Sequence, residues 1–209
     1  MERKLKLKAG VHKGKLIVFE GTDGAGKTTL LRMTEKYLEA KQGVGEVICV
    51  KQPTDLSRKT KLFQKMMYSG NHEGIDYRAV QLLTMSDRVQ HGFEVIGPAL
   101  EAGKTVLCDR YIYTSLANML ARGYRREKWF YEAARYILKP DHVFLAYVPP
   151  EQAIARIKSR PEEKDRYLDE ALLRKVAEEF LKMSVREKFV VLDTREREEK
   201  AFAVIKAKL

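Results

Sequence analysis

Long apolar runs are missing from this chain. The longest, Val143 to Val148, falls far short of the ~18 residues that a membrane-crossing helix needs, so no membrane partner is expected. Cysteine is scarce. Cys49 and Cys108 are the only two, and each lies in a short apolar stretch that reads as a buried strand. That pattern suits reduced core thiols and a cytoplasmic location better than a disulfide framework. No Cys/His grouping has metal-ligand spacing, which leaves no zinc site to expect. The Lys-rich N-terminus has no apolar core behind it, so no signal peptide is expected. Repeats and low-complexity linkers are absent. A length of 209 residues suits one core and is short for two typical domains.

Negative charge is the sign in deficit. Lys and Arg number 40 against 29 Asp and Glu, a net charge of +11. Arg3, Lys4, Lys6, Lys8, Lys13 and Lys15 face only Glu2, so almost half of the excess sits in a short N-terminal segment. The organisation expected is a basic arm over residues 1–14 and one domain over 15–209. The arm suits a solubilising tail or a family-specific extension better than a nucleic-acid contact.

Short apolar runs alternate with helical patterns. Strands are expected near residues 16–20, 47–50, 105–108, 142–148 and 189–192. Helices are expected over 27–41, 59–68, 114–121, 126–138, 151–159 and 168–186, with a last one at the C-terminus. A further long helix starts near Asp76. Leu82, Met85, Val89, Phe93, Ile96 and Leu100 recur along it at helical spacing, which predicts a stripe facing the core, with a bend at Gly97-Pro98. Continuous apolar strands separated by helices imply an α/β fold, a doubly wound parallel five-stranded sheet with helices on both faces.

Gly21-Thr22-Asp23-Gly24-Ala25-Gly26-Lys27-Thr28 matches the phosphate-loop pattern, with the strand before it and the helix after it that the pattern needs. Its glycines let successive N–H groups turn toward a phosphate, and the helix N-terminus adds partial positive charge. Lys27 is expected to reach the β- and γ-phosphates, and Thr28 to offer its hydroxyl to Mg²⁺. The loop alone leaves open a GTPase, a nucleic-acid ATPase and a small-molecule kinase. No guanine-reading Asn-Lys-x-Asp segment is present, and the chain is small for a motor. Asp109-Arg110 follows the third strand, at the sheet's carboxyl edge beside the loop. There an Asp can hold Mg²⁺ through water and an Arg can clamp a second phosphate. Arg88, Thr84, Gln81 and His91 share one side of the long helix. Arg156, Lys158, Arg160, Lys164 and Arg166 surround Pro161, as in a cationic lid over about 156–167 that closes on a transferring phosphoryl group.

The stretch Phe19-Glu20-Gly21-Thr22-Asp23-Gly24-Ala25-Gly26-Lys27-Thr28-Thr29 resembles the opening of the thymidylate kinase family of P-loop nucleoside monophosphate kinases. So do Asp87-Arg88-Val89-Gln90, Val95-Ile96-Gly97-Pro98-Ala99-Leu100, Val106-Leu107-Cys108-Asp109-Arg110-Tyr111 and Asp165-Arg166-Tyr167, in order and from about residue 15 onward. The resemblance implies an ATP site over Gly21 to Thr29. It implies that Asp23 contacts the acceptor sugar's 3′-hydroxyl and the Mg²⁺ region, that Arg88 bonds the base and that Arg110 binds the 5′-phosphate. It also implies that Asp109 organises the metal. Lys51, Pro53, Thr84, Ser115 and Asn118 complete the implied acceptor site. Gly24 stands where one branch of the family carries Arg, so Arg156, Arg160 and Arg166 of the lid are left to supply the catalytic cation.

The sequence departs from the family pattern at several of these positions. Thr84 replaces a base-stacking Phe, Asn118 an aromatic residue beside the sugar and Thr114 a Ser, while Lys51-Gln52-Pro53 stands for Arg-Glu-Pro. The expected reaction is Mg-dependent transfer of the ATP γ-phosphoryl to a nucleoside monophosphate, dTMP to dTDP. The alternatives are another nucleoside monophosphate or an ATP-binding protein without that activity. The expected partners are ATP, the acceptor and a second copy of the chain, packed through the long helix.

Overall fold

The computed structural model describes residues 4–70, 74–161 and 167–209. Among them the strands are β1 (Lys15–Glu20), β2 (Val47–Lys51), β3 (Thr105–Asp109), β4 (His142–Tyr147) and β5 (Val190–Asp193). The helices are α1 (Lys27–Gln42), α2 (Asp55–Arg58), α3 (Lys61–Tyr68), α4 (Tyr77–His91), α5 (Gly97–Glu101), α6 (Ile112–Ala121), α7 (Lys128–Ala133), α8 (Pro150–Lys158), α9 (Glu170–Glu187) and α10 (Glu198–Lys206). The sheet is parallel throughout, in the order β2-β3-β1-β4-β5.

Alternation along the strands builds two cores. Leu16, Val18, Val106, Cys108 and Leu145 face one side and pack with α4, α5, α6 and α9. Ile17, Phe19, Leu107 and Phe144 face the other and pack with α1, α8 and α10. Burial on both faces explains why the strand sequences are continuously apolar. β2 lies at the edge, so Cys49 is exposed and only Cys108 is a core thiol, which corrects the expectation for Cys49.

Three segments depart from the sequence reading. A short helix that carried no expectation, α2, precedes the helix expected over 59–68, which begins two residues later as α3. The Thr60 hydroxyl accepts the Phe63 N–H and starts the second. Only half of the expected stripe faces the core. Leu82, Val89 and Phe93 are exposed (54%, 36% and 77%), while Met85, Ile96 and Leu100 are buried. The inward face of α4 holds Tyr77, Val80, Gln81, Thr84, Met85, Asp87 and Arg88. Pro98 has no N–H to continue the ladder, and the Gly97 N–H bonds the Gly92 carbonyl five residues back. The resulting π turn over Gly92–Ile96 shifts the helical phase and brings Ile96 and Leu100 inward.

The third departure is the N-terminal arm, which over its described residues is docked. Leu5 is buried and Leu7 packs beside it, while Lys4, Lys6 and Lys8 point outward, a strand-like alternation. The Lys8 N–H donates to the Ile137 carbonyl and the Lys139 N–H to the Lys8 carbonyl, each at 2.8 Å. The Leu5 N–H reaches Glu187 Oε1 at 3.3 Å. A solubilising tail would need none of these contacts. Leu5→Ala is therefore expected to lower the unfolding free energy by about 2 kcal/mol or more, read as a lower urea midpoint. An unchanged midpoint would mean that the arm is not part of the fold.

Candidate active site

The site begins where β1 ends. Gly21 and Gly24 take φ of 135° and 76°, conformations that L side chains rarely adopt. Space is equally restrictive, because a Cβ would lie 2.3 Å from the Ala146 carbonyl oxygen at Gly21 and 2.4 Å from that of Ala153 at Gly24. The loop thus lies directly on β4 and α8. α1 begins at Gly26 with no side chain capping its first turn, so those N–H groups are available to a ligand.

Lys27 Nζ donates to the Thr22 carbonyl at 2.7 Å. Burial, with the Arg110 charge adding to it, pulls the Lys27 pKa down to about 8. The back of the loop is braced. Thr194 Oγ1 bonds the Ala25 carbonyl at 3.0 Å, and Arg156 bonds the Gly24 carbonyl at 3.3 Å and the Thr194 carbonyl at 2.8 Å. Arg156 therefore sits on α8 behind the loop and not over the cavity, contrary to the expectation for the lid. Residues 156–158 are helical, and Arg166 lies outside the described residues.

Register places the second half of the site. Phe19 pairs with Asp109, and Lys51 pairs with Asp109 from the other side. One row of strand ends therefore carries the phosphate loop, the Asp-Arg turn and Lys51. Arg110 has φ of 66°, an uncommon conformation for a non-glycine residue. The Arg110 N–H bonds the Phe19 carbonyl at 2.9 Å. Its guanidinium bonds the Gly21 carbonyl at 3.1 Å and Thr114 Oγ1 at 3.2 Å, and pairs with Asp23.

Glu20, fully buried, holds this turn. It accepts the N–H groups of Tyr111 at 2.9 Å and Thr114 at 3.0 Å, and the Thr114 hydroxyl at 2.5 Å. Burial raises the Glu20 pKa, while Thr114 and Arg110 pull against the rise. Asp109 meets Lys51 at 3.9 Å and leaves Oδ1 buried without a hydrogen bond.

A cavity of about 710 Å³ runs between these parts. Asp23, Gly24, Gly26, Lys27, Thr28 and Thr29 line it from the loop, Asp109 and Arg110 from the sheet edge, and Thr114, Ser115 and Asn118 from α6. Lys51, Pro53 and Arg160 also border it. The α4 wall supplies Tyr77, Gln81, Thr84 and Arg88. Arg88 donates to the carbonyls of Thr84 at 3.0 Å and Tyr111 at 3.3 Å and keeps a buried Nε with no partner. A buried donor without a partner is rare in a folded chain. Gly21, Thr22 and Ala25 shape the loop without lining this cavity; Thr22 borders a smaller adjoining one of about 150 Å³.

Three contributors have no role assigned from the sequence. Glu20 is legible only as a charge at the end of an apolar strand. Asp87 accepts the N–H groups of Thr54 at 2.8 Å and Ser57 at 3.2 Å, fixing the turn after β2. Arg58, on α2, lines the cavity, and no local motif points to it.

A phosphate loop facing a guanidinium across one cavity, at the switch point of a parallel sheet, defines a P-loop phosphotransferase. Comparison with known proteins gives the family. The thymidylate kinase family model matches residues 19–205. A probable thymidylate kinase of Thermococcus kodakarensis is 40% identical over 176 residues, 80% of this chain and 83% of that protein. A thymidylate kinase of Desulfotalea psychrophila is 36% identical over 172 residues, 82% of each. A crystal structure of thymidylate kinase from Ehrlichia chaffeensis shares the fold, with a TM-score of 0.67 at 21% identity over 94% of this chain and 99% of that one. The chain belongs to the thymidylate kinase family.

The depressed Lys27 pKa has a pH consequence. Below about 8 the ammonium is already charged in the empty site, whereas above it a bound triphosphate must draw in a proton. ATP affinity is therefore expected to be flat up to about pH 8 and then to fall by up to about tenfold per pH unit. Titration calorimetry in buffers of different ionisation heat should show proton uptake beginning there. Its absence would mean that Lys27 does not meet the phosphates.

Proposed function

We propose that this protein transfers the γ-phosphoryl of ATP to dTMP, giving dTDP. The observation that carries the reading is the cavity shared by the phosphate loop and Arg110, in a chain of this family. The loop over Gly21 to Thr29 would hold the ATP phosphates. Arg110 would hold the acceptor's 5′-phosphate, already aimed by Gly21, Thr114 and Asp23. An acceptor phosphate oxygen would then attack the γ-phosphorus in line, with no covalent enzyme intermediate, so catalysis is positioning and charge.

Lys27 and Arg160 would stabilise the charge spreading over the transferring group, with Arg166 of the lid a further candidate. Arg88 would donate to the base, Asp23 would meet the sugar 3′-hydroxyl, and Lys51, Pro53, Thr84, Ser115 and Asn118 would form the remaining walls. Thr28 and Asp109 fit a hydrated Mg²⁺: both line the cavity, and the unpartnered Asp109 Oδ1 is an acceptor for a metal-bound water. The chemistry that Mg²⁺ supplies when bound is neutralisation of the β- and γ-phosphate oxygens. Among the described residues no helix is long and apolar enough to cross a membrane. With both cysteines free, we place the reaction in the cytoplasm.

We also read the exposed Leu82, Val89 and Phe93 as the face on which a second copy packs. We favour an extension of the domain over a nucleic-acid contact for the arm, because Leu5 and Lys8 are committed to the fold.

ATP, Mg²⁺ and a panel of nucleoside and deoxynucleoside monophosphates, read by product chromatography, should give dTDP as the favoured product. Lys27→Ala should abolish turnover with the fold intact, and full activity in that variant would contradict the assignment. Phe93→Glu should convert a dimer to a monomer in sedimentation, and an unchanged mass would place the contact elsewhere.

A further inference from the structure

The N-terminal arm is one end of a chain of hydrogen bonds that reaches the cavity. Lys8 pairs with Leu138 as in a parallel ladder. The Lys8 N–H bonds the Ile137 carbonyl, and the Lys139 N–H bonds the Lys8 carbonyl. Ile137 and Lys139 therefore turn these polar groups to the arm, and in such a pairing the Leu138 carbonyl turns away from it. That carbonyl accepts the Tyr111 hydroxyl at 2.8 Å. Further along, Asp141 pins the segment to Leu16, but the stretch that meets Tyr111 lies against the arm. The arm itself precedes residues 19–205, which match the family model.

Tyr111 carries the chain inward. It is buried, with extended backbone at the start of α6, and its three polar groups bond in three directions. The N–H meets Glu20 at 2.9 Å, the hydroxyl meets Leu138, and the carbonyl accepts Arg88 at 3.3 Å. Arg88 has a second anchor in the Thr84 carbonyl at 3.0 Å. Thr84 lies one turn back on α4 and moves with that helix, so Tyr111 is the anchor that ties the guanidinium to the sheet side of the cavity. Two carbonyls on the two terminal nitrogens fix the plane of a guanidinium and thereby aim its remaining N–H groups. A bond of 3.3 Å is already at the long end for N–H and oxygen, so a small shift of the Tyr111 peptide breaks it. Lys27 and the phosphate loop have no part in this chain.

We propose that Tyr111 is a positioning residue for recognition of the acceptor base, and that the N-terminal arm acts through it to aim Arg88. The inference rests on the role proposed above for Arg88 and deepens it. Glu20 fixes the backbone end of Tyr111 and Leu138 fixes the phenol end. Two fixed ends set the direction of the carbonyl between Tyr111 and α6. The arm, by holding residues 137–139, holds the outer of those ends.

The test is steady-state kinetics on the full chain, well below the melting temperature, with dTMP and ATP varied in turn. Y111F removes the hydroxyl and keeps the ring. It is expected to raise the dTMP KM about 3- to 10-fold and to leave the ATP KM unchanged. K8P has no N–H to give Ile137 and should raise the dTMP KM about 2- to 5-fold. K8A keeps that N–H and loses only an exposed side chain, so both KM values should stay as they are. R88Q should raise the dTMP KM by itself, and adding Y111F to R88Q should raise it no further. A merely structural loss removes active enzyme and lowers the rate without moving either KM. An unchanged dTMP KM in Y111F or K8P would overturn the proposal, as would an equal rise in the ATP KM, a rise in K8A equal to that in K8P, or additivity with R88Q. Y111F carries the comparison should K8P fail to fold. An R88Q enzyme with the wild-type dTMP KM would instead sink the reading of Arg88 itself.

Discussion

The pairing of β1 with β3 is the constraint on which the site depends. With Phe19 opposite Asp109, the two chain segments that leave these strands must emerge side by side. One turns into the phosphate loop and the other into the Asp-Arg turn. A slip of one residue would exchange the two faces of β3, moving Val106 and Cys108 out of one core and Leu107 out of the other. The hydrophobic alternation that builds the cores therefore also sets the separation of the two anion-binding halves. No loop residue has to specify it.

Glu20 converts that adjacency into a fixed geometry. A carboxylate buried at the junction is unfavourable by itself, as its raised pKa records. Three donors from the Tyr111–Thr114 segment offset that cost. Those donors are the start of α6, and the hydroxyl among them also meets Arg110. The left-handed conformation of Arg110 is held by the same anchors, with its N–H on Phe19 and its guanidinium on Gly21 and Asp23. Strain at a ligand-facing residue persists only where its surroundings over-determine it, and here both sides of the turn do so.

What could be read from the sequence follows from how local each feature is. The phosphate loop is contiguous, and its strand, glycines and helix lie within one short stretch, so each part supports the others. The parallel sheet was legible because strands buried on both faces have no polar alternation. The face of α4 was not legible. Apolar periodicity marks Leu82, Val89 and Phe93, but the sequence does not say whether a stripe faces this chain's core or another surface. The polar residues that do face inward make backbone and cavity contacts that a hydropathy pattern cannot register. Arg156 looked like a lid residue because cations cluster near it, yet its partners, Gly24 and Thr194, are distant in sequence. Arg58 was invisible for the same reason, since its place on the cavity wall depends on Asp87 holding a turn from another element.

Local polar contacts on α4 and α6 also explain how the site tolerates Thr84 and Asn118. Neither leaves a hole in the polar network. Thr84 Oγ1 bonds the Gln81 carbonyl at 3.2 Å, and Asn118 bonds the Thr114 carbonyl at 2.9 Å and accepts from Arg122 at 3.2 Å. Arg122 in turn lies 4.2 Å from the centre of the Tyr77 ring. Aromatic surface therefore reaches the cavity from Phe63 and Tyr77, on α3 and at the start of α4. Thr84 and Asn118 contribute short polar side chains tied to the backbone. Rings at those places keep an apolar surface available to a nucleotide, while Arg88 keeps a buried donor unspent. In the proposed role of Arg88, a base that cannot accept from that buried donor would leave it unpaired.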